Sequence, residues 1–323
     1  MMTRRLQTFW RRSICAVTTA VMVVGVAGAQ QTPPAIASDA RESLQDAWWT
    51  GPLLANSAAT LPRGHYLAEP YIYDIIGPHS QLFGSRAYVL YGLTNKLTTG
   101  VIPIVGYNQP DQGPNSSGVK VGDITLLGQY RLTQFHEHSW VPTTAIEVQQ
   151  TFPSGKYDHL GTRPSDGLGA GAYTTTVSLN TQTYFWLPNG RILRTRLDVS
   201  QSVSGGVDVE DASVYGTSKG FRGRAEPGKS LTVDLAPEYS LTRQWVLALD
   251  ALYEHNGSTS VMGTQNAKNL RQNSGSSWAY GFAPAVEYNV SPKLGVIFGA
   301  RLIAPGHNSS LTVAPVMAIN FVH

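Results

Sequence analysis

The chain has 323 residues, of which 14% are charged and 42% hydrophobic, and its mean hydropathy is −0.13. A mean hydropathy this low excludes a polytopic helical membrane protein, and the charged fraction lies well below the roughly 25% of soluble domains. Thirty-two glycines and 19 prolines, with many hydroxyl and amide side chains, indicate a chain rich in β-strands and turns.

The N-terminus predicts an export signal. Four arginines lie within the first 12 residues, followed by an apolar run from Ile14 to Val26 and small residues at 27–29. Removing these four from the 24 basic residues leaves 20 against 21 acidic residues, so the charge balance gives no reason to expect nucleic-acid binding. We predict a signal peptide over 1–29, with a retained anchor helix as the alternative. The single cysteine, Cys15, lies in this leader, which excludes disulfides and cysteine-ligated zinc in the mature chain.

The mature chain shows alternation with a period of two, and no run of 18 apolar residues. The alternation is clearest where Leu231, Val233 and Leu235 are interleaved with Thr232 and Asp234. It predicts about twelve strands, near 65–75, 82–92, 97–107, 119–132, 139–152, 169–186, 191–203, 229–241, 244–255, 277–289, 293–303 and 310–321.

The connections between these strands alternate in length. Short turns, such as 94–96, 187–190 and 241–243, alternate with longer connections, such as 153–168 and 204–228. A soluble sandwich has no reason to sort its loops this way, whereas an outer-membrane barrel has short periplasmic turns and long external loops. The turns also repeat in sequence every 40 to 55 residues or so, but a propeller would need four strands per repeat rather than two.

The charged side chains of the predicted strands share one face. A charge facing lipid costs about 2–4 kcal/mol at the membrane midplane, so we predict that this face lines a water-filled lumen. The polar face of a soluble sandwich would be roughly a quarter to a third charged, whereas the polar face of the strand at 169–186 is mainly hydroxyl and amide. The predicted lumen-facing residues are Glu69, Arg86, Asp123, Arg131, Glu147, Arg194, Arg196, Asp198, Asp234, Glu238, Asp250, Glu254, Glu287 and Arg301.

Aromatic side chains on the apolar face cluster beside the short turns. Amphipathic rings favour the headgroup boundary of a membrane, which predicts a girdle at one height. A general preference of aromatic residues for strands would explain their presence but not their shared height. The predicted girdle comprises Tyr91, Tyr130, Trp140, Phe185, Tyr239, Trp245, Tyr288 and Phe321.

Six prolines argue against regular strands, because each lacks the N–H of a ladder hydrogen bond. All lie on the outward-facing positions, and the pattern alone does not explain them. They are Pro70, Pro103, Pro142, Pro237, Pro284 and Pro315.

Several short motifs resemble those of proteobacterial outer-membrane proteins grouped with or near the family named for the MetA pathway of phenol degradation. They are Trp48-Trp49-Thr50-Gly51-Pro52-Leu53-Leu54, Leu61-Pro62-Arg63-Gly64-His65, Glu69-Pro70-Tyr71, Ala236-Pro237-Glu238-Tyr239 and the Tyr-x-Leu-Thr turns. The resemblance implies a barrel and passage of aromatic or hydrophobic solutes, and it assigns no catalytic or binding residue. The chain departs from the usual terminal aromatic of such barrels, because Val322 and His323 follow Phe321.

The sequence does not favour an enzyme. A hydrolase barrel would need a serine and a histidine together at lipid-facing positions, and the eight histidines lie in predicted loops or at strand ends. The pair His136 and His138 is better explained as solvated turn residues than as metal ligands, so we predict no metal and no other cofactor. Basic residues from Lys219 to Lys229 suggest contact with lipopolysaccharide phosphate, although a solvated loop is the simpler explanation.

We therefore predict an all-β protein, an antiparallel transmembrane barrel of about twelve strands over 64–323, preceded by a periplasmic segment over 30–63. The expected location is the bacterial outer membrane, with outer-membrane lipid, lipopolysaccharide and a small solute as partners. The predicted function is passive passage of small solutes, selected by lumen width and wall charge. Nine acids against five arginines suggest a weak preference for cations or neutral solutes. A non-conducting structural or adhesive barrel and a soluble periplasmic lipid carrier are the alternatives.

Overall fold

The computed structural model describes residues 41–323, which form eighteen strands and one short 3-10 turn at Pro164–Asp166. The predicted signal peptide and the first part of the predicted periplasmic segment lie outside the described residues. Within residues 41–323, no helix is long and apolar enough to cross a membrane. The strands are β1 (Tyr66–Ile76), β2 (Ser80–Thr94), β3 (Leu97–Ile102), β4 (Ile104–Pro110), β5 (Lys120–Val121), β6 (Ile124–Thr133), β7 (Thr143–Phe152), β8 (Thr174–Trp186), β9 (Ile192–Ser204), β10 (Val207–Glu210), β11 (Phe221–Glu226), β12 (Ser230–Ser240), β13 (Trp245–Asn256), β14 (Ser260–Gln265), β15 (Lys268–Asn273), β16 (Ser277–Ser291), β17 (Leu294–Ile303) and β18 (Thr312–Val322).

Fourteen of the strands form one closed antiparallel barrel with twelve strand positions, as the alternation predicted. β1 pairs with β2 on one side and with β18 on the other, which closes the ring. Two positions are each occupied by two pieces: β3 and β4 are separated by Pro103, and β5 and β6 by 122–123. The predicted strand starts at 139 and 169 are wrong, because β7 and β8 begin at Thr143 and Thr174.

The two ends of the barrel differ. One end, the turn end, carries the connections 95–96, 187–191, 241–244 and 292–293. The turn end also carries the nine-residue connection 134–142. The opposite end, the loop end, carries the short connection 77–79 and much longer ones such as 153–173 and 205–229.

Two connections at the loop end contain a sheet that the sequence pattern did not predict. The strands β10 and β11 lie between β9 and β12, and β14 and β15 lie between β13 and β16, in the order β10-β11-β14-β15. Phe221, Val209 and Val261 form the buried core of this sheet. The long connections therefore pack on one another.

The in-strand prolines coincide with local breaks in pairing, which accounts for their missing N–H groups. Pro103 separates β3 from β4, and Pro142 lies just before β7. Pro70 pairs with β2, but the register of β1 with β18 skips its position. Pro237 and Pro284 lie at similar gaps in the registers of β12 with β13 and of β16 with β17. Pro315 likewise pairs with β17 and is skipped in the register with β1. Pro70, Pro237, Pro284 and Pro315 therefore each interrupt one ladder while keeping their strand in the ring.

Candidate functional site

Most of the residues predicted to face the lumen are buried, and the remaining five are partly or fully exposed. The buried ones are Asp123, Glu147, Arg194, Arg196, Asp198, Asp234, Glu238, Asp250 and Glu287. Among the others, Arg301 forms an ion pair with Glu254, and Glu69 accepts a hydrogen bond of 2.9 Å from Asn320 Nδ2. Arg131 donates to the Asn95 carbonyl at the turn end, at 2.9 Å. Arg86 differs from all of these because its side chain is exposed in a hollow part of the interior.

The residues predicted for the aromatic girdle present their rings at the barrel surface. The exposed fractions are Tyr91 46%, Tyr130 49%, Trp140 91%, Phe185 51%, Trp245 44% and Phe321 38%, and Tyr239 and Tyr288 are half-buried. The Trp245 and Tyr288 rings pack together, with centroids 4.7 Å apart. Trp140 lies in the connection before β7 rather than in a strand. The membrane role of this girdle stays a prediction.

The interior holds a segment of the chain that the sequence analysis assigned to the periplasm. Residues 47–61, here called the plug, enter the barrel and bind its inner wall. The plug contacts β16 first, then β13, β9, β8, β6 and finally β3. This corrects the predicted periplasmic position of this part of 30–63. The segment has no periodicity of its own that would have predicted its place.

Three wall carboxylates hold the plug by accepting hydrogen bonds from its backbone. Asp250 accepts from three consecutive N–H groups, those of residues 53, 54 and 55, at 3.1, 3.2 and 3.0 Å. Glu287 accepts from Thr50 and Gly51 at 2.7 and 3.1 Å, and Asp198 accepts from Asn56 at 2.6 Å. These carboxyl groups thus pair plug N–H groups that would otherwise be buried without an acceptor. The excess of acids in the lumen is thus matched in part by backbone donors rather than by cations.

Side chains fix the second half of the plug. Asn56 Nδ2 donates to Glu147 at 3.2 Å, and Gln129 donates to the Ser57 carbonyl at 2.9 Å. Near the turn end, the Leu61 N–H donates to Thr98 Oγ1 at 2.9 Å. The plug therefore follows the wall around the barrel as far as β3.

A buried cluster of two arginines and one glutamate lies beneath the first half of the plug. Glu238 is fully buried and accepts from Arg194 Nε at 2.7 Å, with a second, very short bond from the same guanidinium. Arg196 Nε lies 3.2 Å from Glu238, and another nitrogen of Arg196 donates to the Ala55 carbonyl at 2.8 Å. The Trp49 ring covers Arg194, with the guanidinium carbon 4.5 Å from the ring centroid. The cluster thus joins the wall to the plug through charge, hydrogen bonds and a cation–π contact.

Small residues on the wall provide the room for the plug. Leu53 packs into a buried cluster with four alanines and Ile297; the alanines are Ala248, Ala283, Ala285 and Ala318. Gly295 lies directly against Thr50, and a Cβ there would overlap the threonine Oγ1.

Gly295→Ala is therefore expected to displace the start of the plug. The methyl group would disturb the hydrogen bond from Thr50 Oγ1 to Asn289, which is 2.9 Å long, and the neighbouring bond to Glu287. We expect limited proteolysis of the folded barrel to cut within residues 41–61 several times faster than in the wild type. The matched control is Gly128→Ala, where a Cβ meets nothing within 4 Å. Equal cleavage rates in the two variants would contradict this account of the contact.

Among residues 41–323, the space left by the plug includes three cavities that share lining residues. A turn-end cavity of about 250 Å³ and a middle cavity of about 220 Å³ share Leu53, Leu54, Tyr71 and Tyr88. A loop-end cavity of about 490 Å³ shares Arg86 with the middle one. The middle cavity lies on the β18–β1–β2 side of the wall, and the loop-end cavity extends from Arg86 towards β4, β6, β7 and β8.

The loop-end cavity also adjoins an outer groove. Val214 and Tyr215 line both this cavity and a groove of about 750 Å³ among the long connections. The Tyr215 hydroxyl donates to the Ala170 carbonyl at 2.5 Å, and burial raises the pKa of Tyr215 to about 12. This tyrosine therefore stays neutral at the entrance at physiological pH.

The described residues bring no cluster of metal-ligating side chains together. Within residues 41–323, no three His, Cys, Asp or Glu side chains are arranged to hold a metal ion. His159, in a long connection at the loop end, lies 3.3 Å from Asp211. The absence of enzymatic activity stays a prediction.

Comparisons with known proteins identify both a family and a fold. The family model described as "Putative MetA-pathway of phenol degradation" matches residues 55–304. No curated protein sequence matches the chain. An outer membrane channel from Pseudomonas putida F1 superposes with a TM-score of 0.61 at 13% identity, covering 84% of this chain and 100% of that one. At this identity, the similarity shows the fold, which is that of a bacterial outer-membrane barrel.

Two more distant structures are similar only in general architecture. The NanC porin has a TM-score of 0.43 at 12% identity, covering 79% of this chain and 98% of that one. The Pseudomonas putida toluene transporter TodX has a TM-score of 0.37 at 12% identity, covering 81% and 89%. At TM-scores this low, nothing further about this protein is concluded from these two structures.

Proposed function

Because the chain belongs to the family named for the MetA pathway of phenol degradation, we propose that it is a channel for passive passage of small aromatic or other hydrophobic solutes. The observation that carries the proposal is the series of cavities in the lumen, which runs from the turn end past the β18–β1–β2 side of the wall to the loop end. Each cavity shares lining residues with the next, from the outer groove to the plug. A connected series of this kind suits stepwise diffusion of a small molecule.

The walls of the middle cavity support a solute with an aromatic ring. Tyr71, Tyr73 and Tyr88 line it together with Leu54 and Val316. Aromatic pairs favour offset or edge-to-face packing, and the Tyr71 and Tyr88 rings adopt a T-shaped arrangement at 5.9 Å. An apolar cavity of about 150 Å³ is sufficient to bind benzene, so 220 Å³ is sufficient for one ring.

A non-conducting structural barrel is the second candidate, and the plug favours it. The plug is tied to the wall on seven strands and narrows the lumen near the turn end. In this case the barrel would serve as a surface scaffold, and its partners would bind the loop-end sheet.

Planar-bilayer recording of the purified protein distinguishes the two candidates. A channel is expected to give discrete conductance steps, and toluene added on the loop side should reduce the step size by occupying the cavities. Glycerol at the same concentration, which has no ring to pack on the tyrosines, is the control solute. A protein that inserts without any conductance would support the structural candidate instead.

The remaining parts of the proposal concern the route to the membrane and its lipids. We propose export through the leader at 1–29, followed by insertion with the turn end facing the periplasm. Among the loop-end basic residues, Arg224 forms ion pairs of 3.2 Å with Asp208 and 2.7 Å with Glu226, and these pairs raise its pKa. Lys219, with no carboxylate of the described residues within 4.0 Å, is therefore the better candidate for a lipopolysaccharide phosphate.

A further inference from the structure

Arg86 is an arginine in the middle of the barrel whose charge is not used by the wall. It lies on β2 opposite Tyr71, and its side chain is exposed at the junction of the middle and loop-end cavities. Among residues 41–323, no carboxylate lies within 4.0 Å of its guanidinium, in contrast to Arg194, Arg196 and Arg301. An arginine held in a hollow without a carboxylate partner suits an anion that enters the hollow.

The other charged groups that line these two cavities are already engaged. Arg301 forms its ion pair with Glu254. Asp123 accepts hydrogen bonds on both oxygens, from the N–H groups of Gly155 at 2.8 Å and Ala170 at 2.7 Å. Of the charged groups that line these two cavities, Arg86 is the one with neither a carboxylate within 4.0 Å nor a hydrogen bond to the backbone. The count of nine acids against five arginines, which suggested a preference for cations, did not include the backbone hydrogen bonds and the ion pair that engage these acids.

The surfaces beside Arg86 are aromatic and apolar. Tyr73 packs against Gly84, the residue opposite it on β2, where a Cβ would lie 2.6 Å from the tyrosine ring. The missing side chain at Gly84 thus lets the Tyr73 ring lie against the wall. Tyr71, Tyr88 and Ile75 complete the surroundings of the middle cavity next to the guanidinium.

We propose that Arg86 and these tyrosines form a binding site for a single-ring aromatic carboxylate. The guanidinium would hold the carboxylate through two parallel N–H···O bonds, and the ring would pack on Tyr71 and Tyr73. The proposal rests on the proposed function and specifies its solute: a ring for the apolar walls with a negative charge for Arg86. Neither the ring nor the anion alone uses both parts of the site.

Calorimetric titration of the full-length protein in detergent tests the site without relying on transport. The probes are benzoate, benzamide as the neutral analogue of the same shape, and acetate as an anion without a ring. We expect benzoate to bind at least tenfold more tightly than either of the other two. Arg86→Gln should lower benzoate affinity at least tenfold and leave benzamide affinity unchanged, and Arg86→Lys should fall between.

Arg131→Gln is the matched control, because that arginine binds the Asn95 carbonyl at the turn end. Its benzoate affinity should equal that of the wild type. Equal binding of benzoate and benzamide by the wild type, or undiminished benzoate binding by Arg86→Gln, would overturn the proposal. A protein that conducts but shows no benzoate preference would leave the channel function intact and remove only this site. A protein that binds benzoate but shows no conductance in bilayers would keep the binding site and remove the channel function.

Discussion

Asp250→Asn is expected to release the plug and to increase the conductance of the barrel. The carboxylate of Asp250 accepts three plug N–H groups, and a hydrogen bond to a charged group contributes about 1.5–3 kcal/mol. An amide has no charge, and its N–H₂ end would face other N–H groups. Because 1.4 kcal/mol corresponds to a tenfold change in an equilibrium constant, we expect the displaced state to become at least tenfold more populated. Single-channel recording should show this as more frequent and larger conductance steps.

The control for this variant is Asp123→Asn. Asp123 also accepts two backbone N–H groups inside the barrel, but these belong to the loop-end connections and not to the plug. Asp123→Asn should therefore loosen the long connections but leave the plug in place, so it should not produce the larger conductance steps expected of Asp250→Asn. If Asp250→Asn recorded the same steps as the wild type, the plug would not limit conduction, and the cavities beside it would already form an open path.

The barrel could be predicted from the sequence because its main constraint is local. Side chains of a strand alternate between lipid and interior, so a strand such as β12, with Leu231, Val233 and Leu235 on one face and Asp234 on the other, shows its environment directly. The two ends could be predicted for a similar reason, since loop length is visible in the sequence. The proline positions were visible as well, but their explanation depends on which neighbouring ladder is interrupted, and alternation does not give register.

The plug could not be predicted in the same way, because its conformation depends on the wall and not on its own pattern. Two features of the wall did carry a signal. Nine acids faced five arginines, so donors other than side-chain cations were needed, and Asp250 and Glu287 obtain them from the plug backbone. The inward positions at Ala248, Ala283 and Ala285 were also too small to fill a lumen by themselves. Together these features indicate a missing internal segment, though not which one.

The loop-end sheet was missed for another reason. Its strands are four to six residues long and lie inside connections rich in turn residues. The alternation in β10 covers only Val207, Asp208, Val209 and Glu210, which is too short to distinguish from chance. Pairing with β11, whose Phe221 fills the core, makes the strand stable.

Glu238→Ala is expected to destabilise the folded barrel more than any other single change on the wall. Glu238 is fully buried and lies against two buried arginines, so its removal leaves two positive charges without their partner. Breaking a buried ion pair from one side costs about 3–5 kcal/mol. The cost should appear as a lower free energy of unfolding in urea, measured by the mobility shift between folded and unfolded barrels. It should also speed proteolysis of the plug, because Arg194 and Arg196 contact Trp49 and the Ala55 carbonyl.

Glu254→Ala provides the comparison that separates burial from charge. Its ion pair with Arg301 has the same chemistry, but both side chains keep more than a quarter of their surface exposed to the lumen. Exposed pairs contribute about 0–1 kcal/mol, so this variant should unfold close to the wild type. If the two variants lost equal stability, the cluster at Glu238 would act as an ordinary solvated ion pair, and the interior beneath the plug would have to be filled with water. A large loss for Glu238→Ala alone requires a dry contact, because only desolvated guanidinium groups depend so strongly on one carboxylate.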